Sequence, residues 1–165
     1  MRVMVTGGAG FIGSHIVDAL VRDGHEVAVV DDLSSGKAIN VNPQARMHAV
    51  SITDSTALEE VFKRVQPETV SHHAAHTSVR ESMTDPEFDA RVNILGSINV
   101  LRLCAAYGVE RIIFASTSAV YAEPVYVPMD ELHPVRPQSA YGMAKYSVEN
   151  YIRLYADTYG LRYKI

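Results

Sequence analysis

The segment Thr6-Gly7-Gly8-Ala9-Gly10-Phe11-Ile12-Gly13-Ser14-His15 carries glycines at positions 7, 10 and 13, a spacing of three and three. A short apolar run from Val3 to Thr6 leads into it, and an amphipathic stretch from Ile12 to Arg22 leads out. Between a strand and a helix each of these glycines has its own task. Gly7 permits a tight turn, Gly10 lets the backbone approach a pyrophosphate, and Gly13 lets the helix pack closely on the strand. The helix start at Phe11 and Ile12 offers unpaired N–H groups, and the positive end of its dipole, to phosphate charge. Asp31 ends the next apolar run about 20 positions on, where a carboxylate accepts hydrogen bonds from both hydroxyls of a ribose and repels a 2′-phosphate. No Arg lies between Asp31 and Gly36, although Lys37 just beyond can neutralise a phosphate. The expectation is a dinucleotide site for NAD rather than NADP. Asp32 is either part of that site or a solvated acid at the strand end.

Tyr141-Gly142-Met143-Ala144-Lys145 places a phenol and an ammonium four residues apart, on one face of a helix. A nearby ammonium favours the phenolate, and a bound nicotinamide cation favours it further, so the phenol is expected to fall below its ordinary value of about 10. Tyr141 is then a general base near neutral pH, and Lys145 can also hold a ribose hydroxyl. A third member belongs at the C-terminal end of the fifth apolar run, where open parallel sheets place their ligands. That run ends Phe114-Ala115-Ser116-Thr117-Ser118-Ala119-Val120-Tyr121, with three hydroxyls in a row. They either join the site or cap the strand and the turn after it.

The elements that position these residues alternate. Val3 to Thr6, Glu26 to Asp31, Arg46 to Val50, Thr69 to His72 and Arg111 to Thr117 are short runs rich in Val and Ile and mostly apolar on both faces, as in a parallel sheet covered on both sides. Ile12 to Arg22, Ser55 to Val65, Pro86 to Tyr107 and Ser139 to Tyr159 read as helices, stopped by Gly24, Pro67 and Gly108. Strand and helix in alternation predict right-handed crossovers and an α/β fold, a Rossmann-like doubly wound parallel sheet with helices on both faces. Ala119 to Gln138 is a long loop with prolines at 124, 128, 134 and 137. Leu161 to Ile165 reads as the opening of a sixth strand, so the whole of residues 1–165 is expected to be one NAD-binding domain. Strand five is then expected to be an exposed sheet edge.

Composition excludes several classes. The 165 residues carry 15 Lys and Arg against 19 Asp and Glu, a net charge of −4, without the basic excess of a nucleic-acid surface. One cysteine makes no internal disulfide, and Cys104 on an apolar stretch reads as a core thiol. No apolar run approaches the ~20 residues of a membrane span, so a cytoplasmic chain is expected. His72, His73 and His76 sit at a strand end and turn and do not make the four convergent ligands of a zinc site; no metal is expected.

The glycine turn, Asp31, Asn93 within Val92-Asn93-Ile94-Leu95-Gly96, Thr117 and the Tyr141/Lys145 pair resemble the extended short-chain dehydrogenase/reductase family over essentially the whole chain. Within it, the chain is most similar to nucleotide-sugar epimerases of the UDP-glucose 4-epimerase type. The resemblance implies bound NAD, a nucleotide-sugar substrate, and a later C-terminal substrate region. It implies that Thr117 bonds the sugar hydroxyl or carbonyl, Tyr141 takes the proton and Lys145 holds the nicotinamide ribose. It also implies that Asn93 lies near the cofactor and that Ala74-Ala75-His76 runs past it. Where the family has an Asp after strand three for the adenine amino group, this chain has Ser51, so adenine recognition is expected to rest on the backbone of Ile52. The family's Ser at Ala115 and Gly at Ala122 are also replaced.

Relatives that remove water carry an Asp-Glu pair after the strand-five Thr, and related decarboxylases a Glu two positions on. Here those positions are Ser118 and Ala119. That favours a 4-epimerase over a dehydratase or an oxidoreductase on the same scaffold, with a non-catalytic cofactor-binding fragment as the third reading. The helix from Tyr141 carries Tyr146, Val148, Tyr151, Ile152, Leu154, Tyr155 and Tyr159 over more than one face. These residues either form a homodimer interface, as the resemblance implies for helices 86–107 and 139–159, or are surface tyrosines.

Overall fold

A computed structural model describes residues 1–121 and 123–165; the replaced family glycine at Ala122 lies outside the described residues. Six strands form one sheet: β1 (Arg2–Thr6), β2 (Glu26–Asp31), β3 (Arg46–Ala49), β4 (Thr69–His72), β5 (Arg111–Phe114) and β6 (Arg162–Lys164). Their order is β3-β2-β1-β4-β5-β6, and every neighbouring pair is parallel. The chain therefore winds outward from β1 to β3, crosses back to β4, and winds outward the other way. The crevice at the carboxyl ends of β1 and β4 is the switch point where such sheets take ligands.

Two apolar layers hold the sheet. Val3 and Val5 of β1 face Val17 of α1 (Phe11–Arg22), together with Val27 and Val29 of β2. Met4 points to the other side, as strand alternation requires. There it packs with Leu58 and Phe62 of α2 (Ser55–Val65), Leu101 and Leu103 of α5 (Gly96–Ala106), and Val148 and Ile152 of α6 (Ala140–Tyr159). Each such fully buried side chain stabilises the fold by roughly 1.5–3 kcal/mol. Coverage is unequal. Ile113, on the α1 side of β5, is 39% exposed.

The strand and helix expectations hold within a residue or so, except the strand-five run, which ends as strand at Phe114 rather than Thr117. Three further differences have physical causes. First, β6 pairs with β5, Ile112 opposite Tyr163, so β5 is not the exposed edge that was expected; the edge is the three-residue β6. Second, the turn after β4 contains helix α3 (Val79–Thr84), started by Ser78, whose Oγ accepts the Glu81 N–H at 3.2 Å. Third, the helix expected over Pro86 to Tyr107 is interrupted. α4 (Pro86–Ala90) passes through a π-helical turn, Arg91–Leu95, into α5. Asn93 causes the interruption: its amide leaves the helix surface to pair with the backbone of His76 in both directions, at 2.9 Å each way. Single π-turns in helices gather at functional sites. No helix among the described residues is long and apolar enough to cross a membrane.

Candidate active site

The glycine turn is shaped by two different constraints. Gly7 has φ +71°, and a Cβ there would lie 2.5 Å from the Ala74 nitrogen. A Cβ on Gly13 would collide with the Gly7 carbonyl. Both positions are glycine because backbone meets backbone. Gly10 differs: a Cβ there would meet only the Gly7 oxygen, at 3.3 Å. The space outside Gly10 is thus open beside the first turn of α1, which among the described residues has no side-chain cap. Phe11 and Ile12 turn their side chains to solvent, and as the first residues of α1 their N–H groups have no intrahelical acceptor. An uncapped helix N-terminus facing open space fits a diphosphate.

Asp31 is 8% exposed, and its carboxylate is already engaged. Oδ2 accepts the Ala9 N–H at 3.0 Å and Oδ1 the Leu33 N–H at 2.9 Å. It ties the glycine turn to the end of β2, and each oxygen keeps a second lone pair for a ribose hydroxyl. Asp32 is neither isolated nor merely solvated: it accepts from the Ser34 N–H and from Ser51 Oγ, both at 3.0 Å. Burial pushes its carboxyl up, but the hydrogen bonds from Ser34 and Ser51 outweigh this and hold it below the usual carboxylate range. Ser51 therefore stands beside Asp32 on the crevice side of β2 and β3. Ile52 is buried and its carbonyl accepts Asn99 Nδ2 at 3.0 Å, which anchors this corner to α5.

At the ends of β1 and β4 a buried chain of hydrogen bonds fixes the crevice floor. Thr6 Oγ1 accepts the N–H groups of His73 and Ala74 at 3.2 Å. Its own proton is then directed to His72 Nδ1, 2.6 Å away. This assigns the His72 proton to Nε2, which donates to Ser97 Oγ at 2.9 Å, and Ser97 donates to the Asn93 carbonyl at 2.6 Å. Burial, with the charge of Lys145 and His73, pushes His72 down to about 3, so it stays neutral. The chain sets the course of Ala74 and Ala75 past the glycine turn and ends at Asn93, joining two candidate cofactor contacts. His73 leans on Ser71, and His76 lies between Glu81 and Asp89, so the three histidines point into three different contacts.

The structure brings Thr117, Tyr141 and Lys145 together. Ser139 caps α6 by accepting the Gly142 N–H at 3.0 Å, and buried Ser82 of α3 accepts the Tyr141 N–H at 3.1 Å. Gly142 presses on the turn that follows β5: a Cβ there would lie 2.7 Å from the Ala119 carbonyl oxygen. Thr117 Oγ1 accepts the Ala119 N–H at 3.1 Å, so it caps the turn against which the start of α6 packs. Lys145 is 3% exposed, donates to the Ala115 carbonyl at 2.9 Å and lies 4.7 Å over the Phe114 ring. Ser116 is taken up elsewhere, donating to buried Glu149, which also receives Arg153 at 3.0 Å. Ser118 is exposed.

One expectation is corrected. The ammonium four residues on was expected to lower Tyr141. Burial instead raises the phenol, Asp89 raises it further, and the neighbouring Thr117 hydroxyl offsets only part. Lys145 is pinned to Ala115, its nitrogen 5.9 Å from the Tyr141 ring, and burial pushes it down to about 8. Four positioning residues were not read from sequence: Thr6, Ser82, Asp89 and Glu149. The one usable signal was the Asp89/Asn93 spacing of four on a helix.

A model of the NAD dependent epimerase/dehydratase family matches residues 3–165. The chain belongs to this family. Among solved structures of its relatives, a UDP-glucose 4-epimerase of Thermotoga maritima, determined with UDP-glucose, is 47% identical with a TM-score of 0.96 over 99% of this chain and 53% of that one. A UDP-glucose 4-epimerase of Thermus thermophilus, determined with NAD, is 44% identical with a TM-score of 0.95, over 99% and 53% of the two chains. In sequence, a UDP-glucose 4-epimerase of Mycolicibacterium smegmatis is 39% identical over 98% of this chain and 53% of its own length. The chain thus spans about half the length of these family members.

Proposed function

We propose that residues 1–165 are the NAD-binding part of a nucleotide-sugar 4-epimerase of the UDP-glucose/UDP-galactose type. The observation that carries this reading is the convergence of Thr117, Tyr141 and Lys145 on the carboxyl end of β5, with Ser118 and Ala119 where a dehydratase or decarboxylase would need carboxylates. Glu149, the buried carboxylate near this end of the strand, is spent on Ser116 and Arg153.

In this reading the glycine turn and the N–H groups of Phe11 and Ile12 hold the diphosphate. Asp31 holds the adenosine ribose, with Asp32 and Ser51 beside it. NAD, when bound, supplies the hydride acceptor and a positive nicotinamide ring next to the phenol. Thr117 orients the sugar C4 hydroxyl, Tyr141 Oη takes its proton and later returns it, and Lys145 holds the nicotinamide ribose. The phenol, raised in the chain by itself, needs that added positive charge to serve as a base at neutral pH. The uridine and sugar contacts are assigned to the region that relatives carry beyond the matched half, so these 165 residues bind NAD without measurable epimerisation.

We further propose a homodimer through α6 and the helices from α3 to α5. The structure buries Val148 and Ile152 on one face of α6, while Met143 and Leu154 stay exposed on another, and Met83, Phe88 and Leu95 are exposed on the helical segments packed against α6. The test of function is to supply UDP-galactose and NAD to the longest gene product that contains these residues. Formation of UDP-glucose without net NADH supports the epimerase; stoichiometric NADH assigns an oxidoreductase, and loss of water a dehydratase.

A further inference from the structure

His76 ends the segment Ala74-Ala75-His76, and each nitrogen of its ring faces a carboxylate. Nε2 lies 3.0 Å from Glu81 Oε2, and Nδ1 lies 3.3 Å from Asp89 Oδ1. The His76 side chain is 15% exposed and that of Asp89 0%. A carboxylate only accepts, and a neutral imidazole carries one N–H, so a neutral ring would turn a lone pair on one of the two acids. The imidazolium, with two N–H groups, satisfies both. Asp89 adds a reason of its own. Its Oδ2 has no hydrogen-bond partner among the described residues, and a buried carboxylate needs a cation against it. The Phe88 ring packs across the imidazole at 5.2 Å and 72°.

This ring joins several parts of the crevice wall. The His76 backbone is paired with Asn93 in both directions, and the same Asn93 amide donates to Asp89 Oδ1 at 2.8 Å. Glu81 belongs to α3, beside Ser82, whose Oγ accepts the Tyr141 N–H. One side chain thus links the segment that passes the glycine turn to α3, to α4 with its π-turn, and through α3 to the start of α6.

The other charged and titratable groups around the ring face water or are engaged elsewhere. Arg80, Asp85, Glu87 and Arg91, on the same helical segments, are exposed. α6 packs on α3, α4 and the π-turn. Its Lys145 donates to the Ala115 carbonyl, and its Tyr141 is raised and so a neutral phenol at neutral pH. On the β4 side, His72 bonds Thr6 and Ser97, and His73 bonds Ser71. Among the described residues, Glu81 and Asp89 are the charges in contact with the ring.

We propose that His76 is a positioning residue for the cofactor crevice: as an imidazolium clamped between Glu81 and Asp89 it locks α3 and the π-turn to the segment Ala74-Ala75-His76, and loss of its proton releases the lock. The inference rests on the reading of Ala74, Ala75 and Asn93 as cofactor contacts, but half of its test does not use NAD. The bond to Glu81 raises His76, burial opposes, and the bond to Asp89 raises it again, so the imidazolium persists above the ordinary imidazole value of about 6.5. The clamp is complete below that value and is lost as pH rises through the raised midpoint.

NMR of the 165-residue chain tests the clamp itself, in the wild type and in Glu81→Gln, which alters an exposed carboxylate and leaves the buried Asp89 in place. At pH 6.5 both His76 ring nitrogens should carry protons, and the midpoint should be lower in Glu81→Gln. At the same pH the Tyr141 amide, bonded to Ser82 of α3, should exchange with solvent faster in the variant. A bare ring nitrogen at pH 6.5, or a midpoint or exchange rate that Glu81→Gln leaves in place, overturns the proposal. NAD titrations over the same pH range test its consequence. The wild type should bind NAD more tightly than His76→Gln by about fivefold or more below the His76 midpoint, the lower end of ordinary coupling between sites. The ratio should shrink as pH rises through that midpoint; comparing the two chains at each pH cancels every other titrating group. A ratio that stays constant also overturns the proposal, and Glu81→Gln serves in the same comparison if His76→Gln does not fold. Absence of NAD binding at every pH would instead defeat the NAD reading, and the ring and amide measurements would still decide the clamp.

Discussion

At Gly10 a methyl group would meet only the Gly7 carbonyl, at 3.3 Å, whereas at Gly7 and Gly13 it would meet backbone at distances no structure accommodates. Fold and ligand can therefore be separated by substitution. Gly10→Ala should cost less thermal stability than Gly13→Ala, because only the Gly7 carbonyl must give, by a few tenths of an ångström, but should weaken NAD binding by about tenfold or more. Gly13→Ala should lower both. Equal loss of affinity and stability in the two variants would remove the diphosphate from the mouth of this turn. Asp31 has a double task. Asp31→Ala leaves the buried Ala9 N–H without its acceptor, a cost of about 1–3 kcal/mol, and should weaken NAD more than NADP, narrowing their ratio. Calorimetric titration of both cofactors checks it, and an unchanged ratio would refute the role of the carboxylate. Tyr141→Phe, in the longest gene product, should retain NAD binding and lose turnover by about 10² or more; near-normal turnover would end the assignment of the base.

The elements differ in how much of their reason is local. The strands, the glycine turn, Asp31 and the Tyr141/Lys145 pair are legible in sequence because each rests on a short-range pattern: alternation, a glycine spacing, one helical turn. The π-turn is not, since it depends on Asn93 pairing with the backbone of His76, a contact made only once β4 and α4 are assembled. α3 is too short for an apolar period, and its purpose, an acceptor for the Tyr141 N–H, lies 59 residues away. The direction of the Tyr141 shift is misread from spacing for the same reason, because burial and Asp89 are tertiary facts. The His72 chain between β1, β4 and the π-turn makes its own prediction. Burial pushes His72 from the ordinary imidazole value of about 6.5 down to about 3 in the folded chain. Between those values the folded chain binds fewer protons than the unfolded one, so this contribution is present at pH 7 and is lost as pH falls towards 3. His72→Gln should thus be less stable than the wild type at pH 7, with the gap narrowing below about pH 6 in urea titrations. A gap that is constant from pH 7 to pH 4 would show that the imidazole is not the titrating group.

At the scale of the molecule, a doubly wound sheet places its cofactor crevice between β1 and β4 and its candidate chemistry at the end of β5, both on one edge of the sheet. The proposed dimer helices lie to the side of that edge. Sedimentation should therefore show a dimer that Leu154→Glu converts to monomer without loss of NAD affinity; a monomeric wild type would remove the interface. The most direct test of the whole account is a calorimetric titration of the 165-residue chain with NAD and with NADP. One NAD per chain, bound more tightly than NADP, is the expected result. Tighter binding of NADP, or no binding of NAD by the folded chain, would contradict it.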